Sequence, residues 1–139
     1  MKVIGFCGYS GSGKTTLVEQ VVTLMRLAGQ RVSVVKHAHH DFDIDHPGKD
    51  SYRHRAAGAF EVVVASNRRL AKIREFEVPT EPTAHQLIAE LCDCDWVLVE
   101  GDTILAVVDR NFGRNEQSAA LAYRFLSGLG GADNVVEVY

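Results

Sequence analysis

At 139 residues and 46% hydrophobic, the chain has the length and apolar content of one domain with a buried core, since chains near 150 residues hide about 68–70% of their unfolded surface. Fifteen Lys and Arg against eighteen Asp and Glu leave a net charge of −3, and no basic block stands out, which argues against a nucleic-acid partner. Apolar runs such as Ile104 to Val108 are far too short to span a bilayer, and the N-terminus moves directly into a strand pattern with no room for a signal peptide, so a cytoplasmic protein without membrane contact is expected.

Val3-Ile4-Gly5-Phe6-Cys7 is an apolar run of strand length. Gly8-Tyr9-Ser10-Gly11-Ser12-Gly13-Lys14-Thr15 follows and fits G-x-x-x-x-G-K-[ST] without a mismatch. Beyond it, Leu17, Val18, Val21, Val22, Met25 and Ala28 recur at three or four residues, the spacing of a helix that buries one face. A phosphate-binding loop requires this strand, loop and helix context. Its glycines let successive backbone N–H groups point into one concavity, and the helix start adds its unpaired N–H groups and positive dipole end. Nucleotide binding is therefore expected at Gly8, Ser10, Gly11, Ser12, Gly13, Lys14, Thr15 and Thr16. Lys14 would reach the β- and γ-phosphates, and the Thr15 hydroxyl would ligate Mg2+.

The first helix is expected to end at Gly29, which suits a left-handed position after the helix. Arg31 to Lys36 then reads as a second strand. Between His37 and Lys49 the character turns polar, with His37, His39, His40, Asp41, Asp43, Asp45 and His46 closed by Pro47-Gly48. Function concentrates in such loops. Imidazole and carboxylate suit zinc or nickel, yet adjacent His39 and His40 cannot easily share one ion, and the aspartates equally suit a solvated loop facing Mg2+. Asp50 reads as the cap of a short helix, Ser51 to Ala57. Within this segment Lys49, Arg53 and Arg55 suit either an anion contact or a plain exposed face.

Phe60 to Ala65 reads as a strand, and Ser66 after it as a residue bordering the nucleotide. Arg69 to Arg74 alternates like a half-exposed edge strand. Thr83 and Gln86 have the spacing of a capping box, ahead of Ala84, Leu87, Ile88 and Leu91 on one helix face. The cysteines are Cys7, Cys92 and Cys94; Cys7 reads as a small buried hydrophobe, and C-x-C is neither a redox pair nor half of a zinc ribbon.

Trp96 to Val99 is a near-continuous apolar strand ending on Glu100-Gly101. Phosphate-loop proteins place a second acid at the tip of an adjacent strand to position Mg2+ or the attacking water, and Glu100 is the best placed, with Asp41 and Asp43 behind it. Lys14 and Glu100 are thus the expected catalytic pair. Ile104 to Val108 reads as a strand, Asn115 to Leu129 as a helix and Val135 to Val138 as a last strand. Asp109, at a strand end, is the candidate for reading guanine. Strands alternating with helices predict an α/β, three-layer phosphate-loop NTPase fold, its sheet mainly parallel with helices on both faces, in a single domain over 1–139.

The segment Val35-Lys36-His37-Ala38-His39-His40-Asp41-Phe42-Asp43-Ile44-Asp45-His46-Pro47-Gly48-Lys49-Asp50-Ser51-Tyr52 closely resembles the signature of the molybdopterin-guanine dinucleotide biosynthesis adaptor family, MobB. Arg55-Ala56-Ala57-Gly58-Ala59, Val64-Ala65-Ser66 and Val97-Leu98-Val99-Glu100-Gly101 fit it too, so the similarity covers about residues 2–101. The resemblance implies a GTP-binding protein with weak GTPase activity, often dimeric, that assists the guanylyltransferase attaching GMP to molybdopterin. Molybdopterin itself or the enzymes that carry it would be further partners. It implies phosphate contacts from Gly11 through Thr16, Mg2+ contacts from Thr15 and Glu100, and a switch or partner-facing role for the His37 to Lys49 loop. The chain departs from the family pattern after Gly101, where Asp102-Thr103 leads at once into Ile104 in place of Phe-Lys and a further segment of strands. Hydrolysis is expected to be slow, because no arginine finger or water-orienting glutamine can be named. Three rival readings stand beside this one: a nickel-insertion GTPase using the histidine loop, a small-molecule kinase, which would need a basic lid, and a structural protein without nucleotide affinity.

Overall fold

The computed structural model describes residues 1–38 and 41–101. The expected elements after Gly101, together with Asp109, His39 and His40, lie outside the described residues. The described residues divide into two compact units, one holding residues 1–38 with 82–101 and the other residues 41–81.

Among the described residues, the first unit holds a three-stranded parallel sheet. Strand β1 (Lys2–Cys7) leads through the glycine-rich loop into helix α1 (Lys14–Leu27) and then strand β2 (Val32–Lys36). A later helix and a strand also belong to it: Ala84–Ala89 and Trp96–Gly101. The last strand lies in the middle, hydrogen-bonded to both others. Six consecutive buried residues along it, Trp96 to Gly101, are what a strand covered on both faces requires. Side chains alternate between the faces. Trp96 and Leu98 join Ile4, Phe6, Val18, Val21 and Met25 against α1, while Val97 and Val99 join Val3 and Val35 on the other face, backed by Leu87, Ile88 and Leu91. Helices therefore cover both faces, as expected.

Both helix-end signals in this unit are realised. Gly29 has φ +77, and its N–H donates to the Arg26 carbonyl while the Gln30 N–H donates to that of Met25, each at 3.0 Å. This is the paired arrangement in which a left-handed glycine closes a helix. Thr83 and Gln86 form the reciprocal capping box ahead of Ala84.

The second unit holds α2 (Asp50–Ala56) and the hairpin β3 (Glu61–Ala65) with β4 (Leu70–Arg74); the remaining elements of the first unit are accordingly α3 (Ala84–Ala89) and β5 (Trp96–Gly101). Strand β3 pairs antiparallel with β4, Val62 opposite Ile73 and Val64 opposite Ala71. A four-residue connection permits only local antiparallel pairing, whereas parallel neighbours need a long crossover. Asp50 does not cap α2 but is its first residue, where a carboxylate complements the helix dipole; Lys49 takes the cap position with no side-chain capping bond.

Candidate functional site

The loop after β1 has the backbone its composition demands. Gly11 and Gly13 have φ of +79 and +86. Gly13 is the N-cap of α1, in left-handed geometry and with no side chain to occupy the helix amides. A β-carbon there would force a conformation costing about 1–2 kcal/mol. The first helical bond runs from the Leu17 N–H to the Gly13 carbonyl at 3.1 Å, so the Thr15 and Thr16 amides precede the intrahelical ladder, and no acid stands in the first turn to compete for an anion. Ser10, Gly11, Ser12, Thr15 and Thr16 are exposed; the Ser12 N–H donates to the Tyr9 carbonyl at 3.1 Å and tightens the loop.

Lys14 is 7% exposed, an unusual position for an ammonium group. Its Nζ donates to the loop's own carbonyls, Gly8 at 2.5 Å and Tyr9 at 2.8 Å. The charge is thus stored at the centre of the loop.

Glu100 comes to the same place through strand phase. Trp96, Leu98 and Glu100 are two residues apart and share the face that carries α1. The Thr15 hydroxyl donates to Glu100 Oε1 at 2.7 Å. Lys36, opposite Glu100 in the parallel register of β2 and β5, donates from Nζ to the same oxygen at 2.5 Å. Burial pushes the Glu100 carboxyl upward, but hydrogen bonds from Lys36 and Thr15 and the charges of Lys36 and Lys14 outweigh it and hold the group below its ordinary value. The residue is 4% exposed, and this balance favours its ionised form. Hard oxygen donors of this kind, a carboxylate and a hydroxyl, suit Mg2+.

The structure therefore unites Lys14, Thr15 and Glu100, and adds Lys36, which sequence reasoning passed over. Its signal was present: two apolar strands, Val32 to Val35 and Trp96 to Val99, each end on a charged residue, of opposite sign. His37, grouped by sequence with the polar loop, is buried instead, and its N–H donates to the Glu100 carbonyl at 2.8 Å, extending the β2–β5 ladder. Among the described residues, no group of three or more His, Cys, Asp or Glu is placed to hold a metal ion.

The remaining candidates lie in the second unit. Asp41 and Lys49 are exposed there. Asp43 and Asp45 are engaged by Arg55, which donates to Asp43 through two guanidinium nitrogens, at 2.9 and 3.1 Å, to Asp45 at 3.2 Å, and through Nε to Glu75 at 2.6 Å. Arg55 thus ties the loop before α2 to the end of the hairpin. Ser66 serves the β3–β4 turn: its hydroxyl accepts from the Arg68 and Arg69 N–H groups at 3.2 and 3.1 Å.

A parallel sheet sandwiched by α1 and α3, with a glycine-rich loop feeding α1 and an acid at the tip of the middle strand, makes this an α/β protein of the P-loop NTPase-like fold. The family model described as MobB, molybdopterin guanine dinucleotide synthesis protein B, matches residues 3–109, and the chain belongs to that family. It is similar to the molybdopterin-guanine dinucleotide biosynthesis adapter protein of Escherichia coli K12, 42% identical over 103 residues that cover 71% of this chain and 58% of that one. The protein of the same name from Haemophilus influenzae is 41% identical over 102 residues, covering 71% of this chain and 56% of the relative. A crystal structure of molybdopterin-guanine biosynthesis protein B (mobB) superposes with a TM-score of 0.54 at 35% identity, covering 71% of this chain and 60% of that one, and the Bacillus subtilis MobB structure with 0.56 at 25%, covering 73% and 61%. The chain thus spans about three-fifths of the length of these relatives. Among the described residues no helix is long and apolar enough to cross a membrane.

Proposed function

We propose that this protein binds GTP with Mg2+ at the loop of residues 8–16 and acts as a cytoplasmic, homodimeric adaptor in the guanylation of molybdopterin, assisting the guanylyltransferase of molybdenum cofactor maturation. The observation that carries the reading is the convergence of the Thr15 hydroxyl on a buried, ionised Glu100 beside the stored charge of Lys14. On this reading Thr15 and Glu100 hold the ion, which draws the phosphate charge into the loop. Lys14 exchanges the Gly8 and Tyr9 carbonyls for phosphate oxygens, a stronger charge-assisted contact. The Thr15 and Thr16 amides orient the phosphates, and GTP hydrolysis is slow. Membership of a family whose relatives carry the adapter name supports the cofactor-maturation role.

Calorimetric titration of GTP and ATP, each with Mg2+, tests this directly. GTP should bind the more tightly. Lys14→Ala should lose roughly 10- to 100-fold in affinity, the worth of a hydrogen bond to a charged group, while still unfolding cooperatively. Clear ATP selectivity, or unchanged affinity in the variant, would overturn the proposal.

A further inference from the structure

Glu100 Oε1 accepts two donors at once, and the reading above uses only one of them. The Thr15 hydroxyl has its role beside the ion; the Lys36 ammonium has none. Lys36 stands opposite Glu100 in the β2–β5 register, so its presence at this oxygen follows from the sheet and not from a chance surface encounter. The two partners differ in setting: the Glu100 side chain is 5% exposed and that of Lys36 54%. A compact, strongly hydrated cation on a four-carbon stem, half in water, thus rests on the carboxylate that Mg2+ would take.

We propose that Lys36 is the resident counter-ion of Glu100 in the nucleotide-free protein, and that Mg2+ with its nucleotide enters by displacing it. The inference rests on the reading of this loop as a Mg2+-nucleotide site. A buried carboxylate without a partner is costly, and the exchange keeps Glu100 compensated before and after binding. Detachment is cheap, because an ion pair with one half-exposed partner contributes little. Lys36 therefore competes with Mg2+ for one oxygen and sets the Mg2+ concentration at which nucleotide affinity switches on. It is a positioning residue whose effect appears in ion dependence.

The test follows the fluorescence of N-methylanthraniloyl-GTP on binding to the full chain across a Mg2+ series, for the wild type, Lys36→Met and Lys36→Arg. Removing the competing charge should lower the half-saturating Mg2+ concentration about fivefold, as expected for a pair of this exposure. The arginine variant, whose planar fork grips a carboxylate more firmly, should raise it. An unchanged or higher midpoint in Lys36→Met overturns the inference, and so does an unchanged midpoint in Lys36→Arg, which serves alone should the methionine variant not fold. Should the wild type bind no nucleotide at any Mg2+ concentration, the site reading itself fails and the inference falls with it. Wild-type binding with insensitive Lys36 variants sinks the inference alone.

Discussion

Glu100→Gln separates the acid's part in the fold from the part proposed for it at Mg2+. The replacement keeps the shape and leaves an oxygen to accept the Thr15 hydroxyl, now 2.7 Å away; what disappears is the charge. The folded state favours the ionised group, despite burial, because Lys36 and Thr15 donate to it and Lys36 and Lys14 attract it, so neutralising it has a cost in stability. That cost is small. Lys36 is half in water and returns there, which puts the lost pair at about 1 kcal/mol, and the amide avoids the desolvation penalty of a buried charge. The net change in unfolding free energy should stay within about 1 kcal/mol, or roughly 4 °C in Tm. Nucleotide affinity in Mg2+ should fall much further, by roughly thirtyfold or more, the lower end of what losing one partner of a buried charge pair costs. Affinity measured in EDTA should hold or improve, since a negative charge near the phosphates is gone. Denaturant unfolding paired with GTP titrations in Mg2+ and in EDTA gives both numbers. Wild-type Mg2+ dependence in Glu100→Gln would refute the ion role, and a stability loss beyond about 3 kcal/mol would make the residue a keystone of the fold.

Leu98→Ala empties the centre of the sheet face under α1, where Leu98 is fully buried among Ile4, Val18 and Met25; denaturant unfolding should register a loss of about 2–5 kcal/mol, and less than 1 kcal/mol would mean that this core is not closed. Arg55→Leu should speed tryptic cleavage after Lys49 several-fold, because the staple to Asp43, Asp45 and Glu75 is removed; an unchanged rate would show that the staple does not hold this segment. The same staple carries a pH signature. The Arg55 hydrogen bond foremost holds Asp43 below its ordinary value, and for Asp45 the upward push of burial is outweighed by bonds from Ser51, the His46 N–H and Arg55. Depressed carboxyls stabilise the folded state above their unfolded values and lose that contribution as they protonate. An Arg55 Nε–H resonance dispersed by this staple is therefore expected, persisting from neutral pH down to the ordinary carboxylate range near about pH 4 and collapsing only below it; collapse near pH 6 would contradict the assignment.

The site was largely legible because each of its parts is encoded locally. A glycine at each left-handed position, a lysine and threonine opening the helix, and an apolar run ending on an acid all announce themselves within ten residues. The capping box at Thr83 and the helix stop at Gly29 belong to the same class. What escaped was decided by partners distant in sequence. For Arg55 the sequence offers an anion contact or a plain exposed face, and neither includes the ion pairs: Asp43 twelve residues before it and Glu75 twenty residues after it converge on its guanidinium, a meeting that no spacing rule contains. Lys36 escaped for a related reason: its meaning depends on the register that sets it opposite Glu100.

That register is the step that turns a motif into a site. Cys7 pairs with Gly101 across β1 and β5, so β5 ends level with the last residue before the loop begins, and Glu100 stands opposite Phe6. Side-chain phase then selects the face. Because Trp96 and Leu98 are committed to the core under α1, Glu100 must project to the α1 side, where Thr15 waits in the first helical turn. A slip of one residue would send every side chain of β5 to the opposite face, placing Trp96 and Glu100 against α3 and leaving Thr15 and Lys14 without their carboxylate. The bulk of Trp96, 1% exposed, thus locks the position of an acid four residues further on, and the apolar core fixes the electrostatics of the loop.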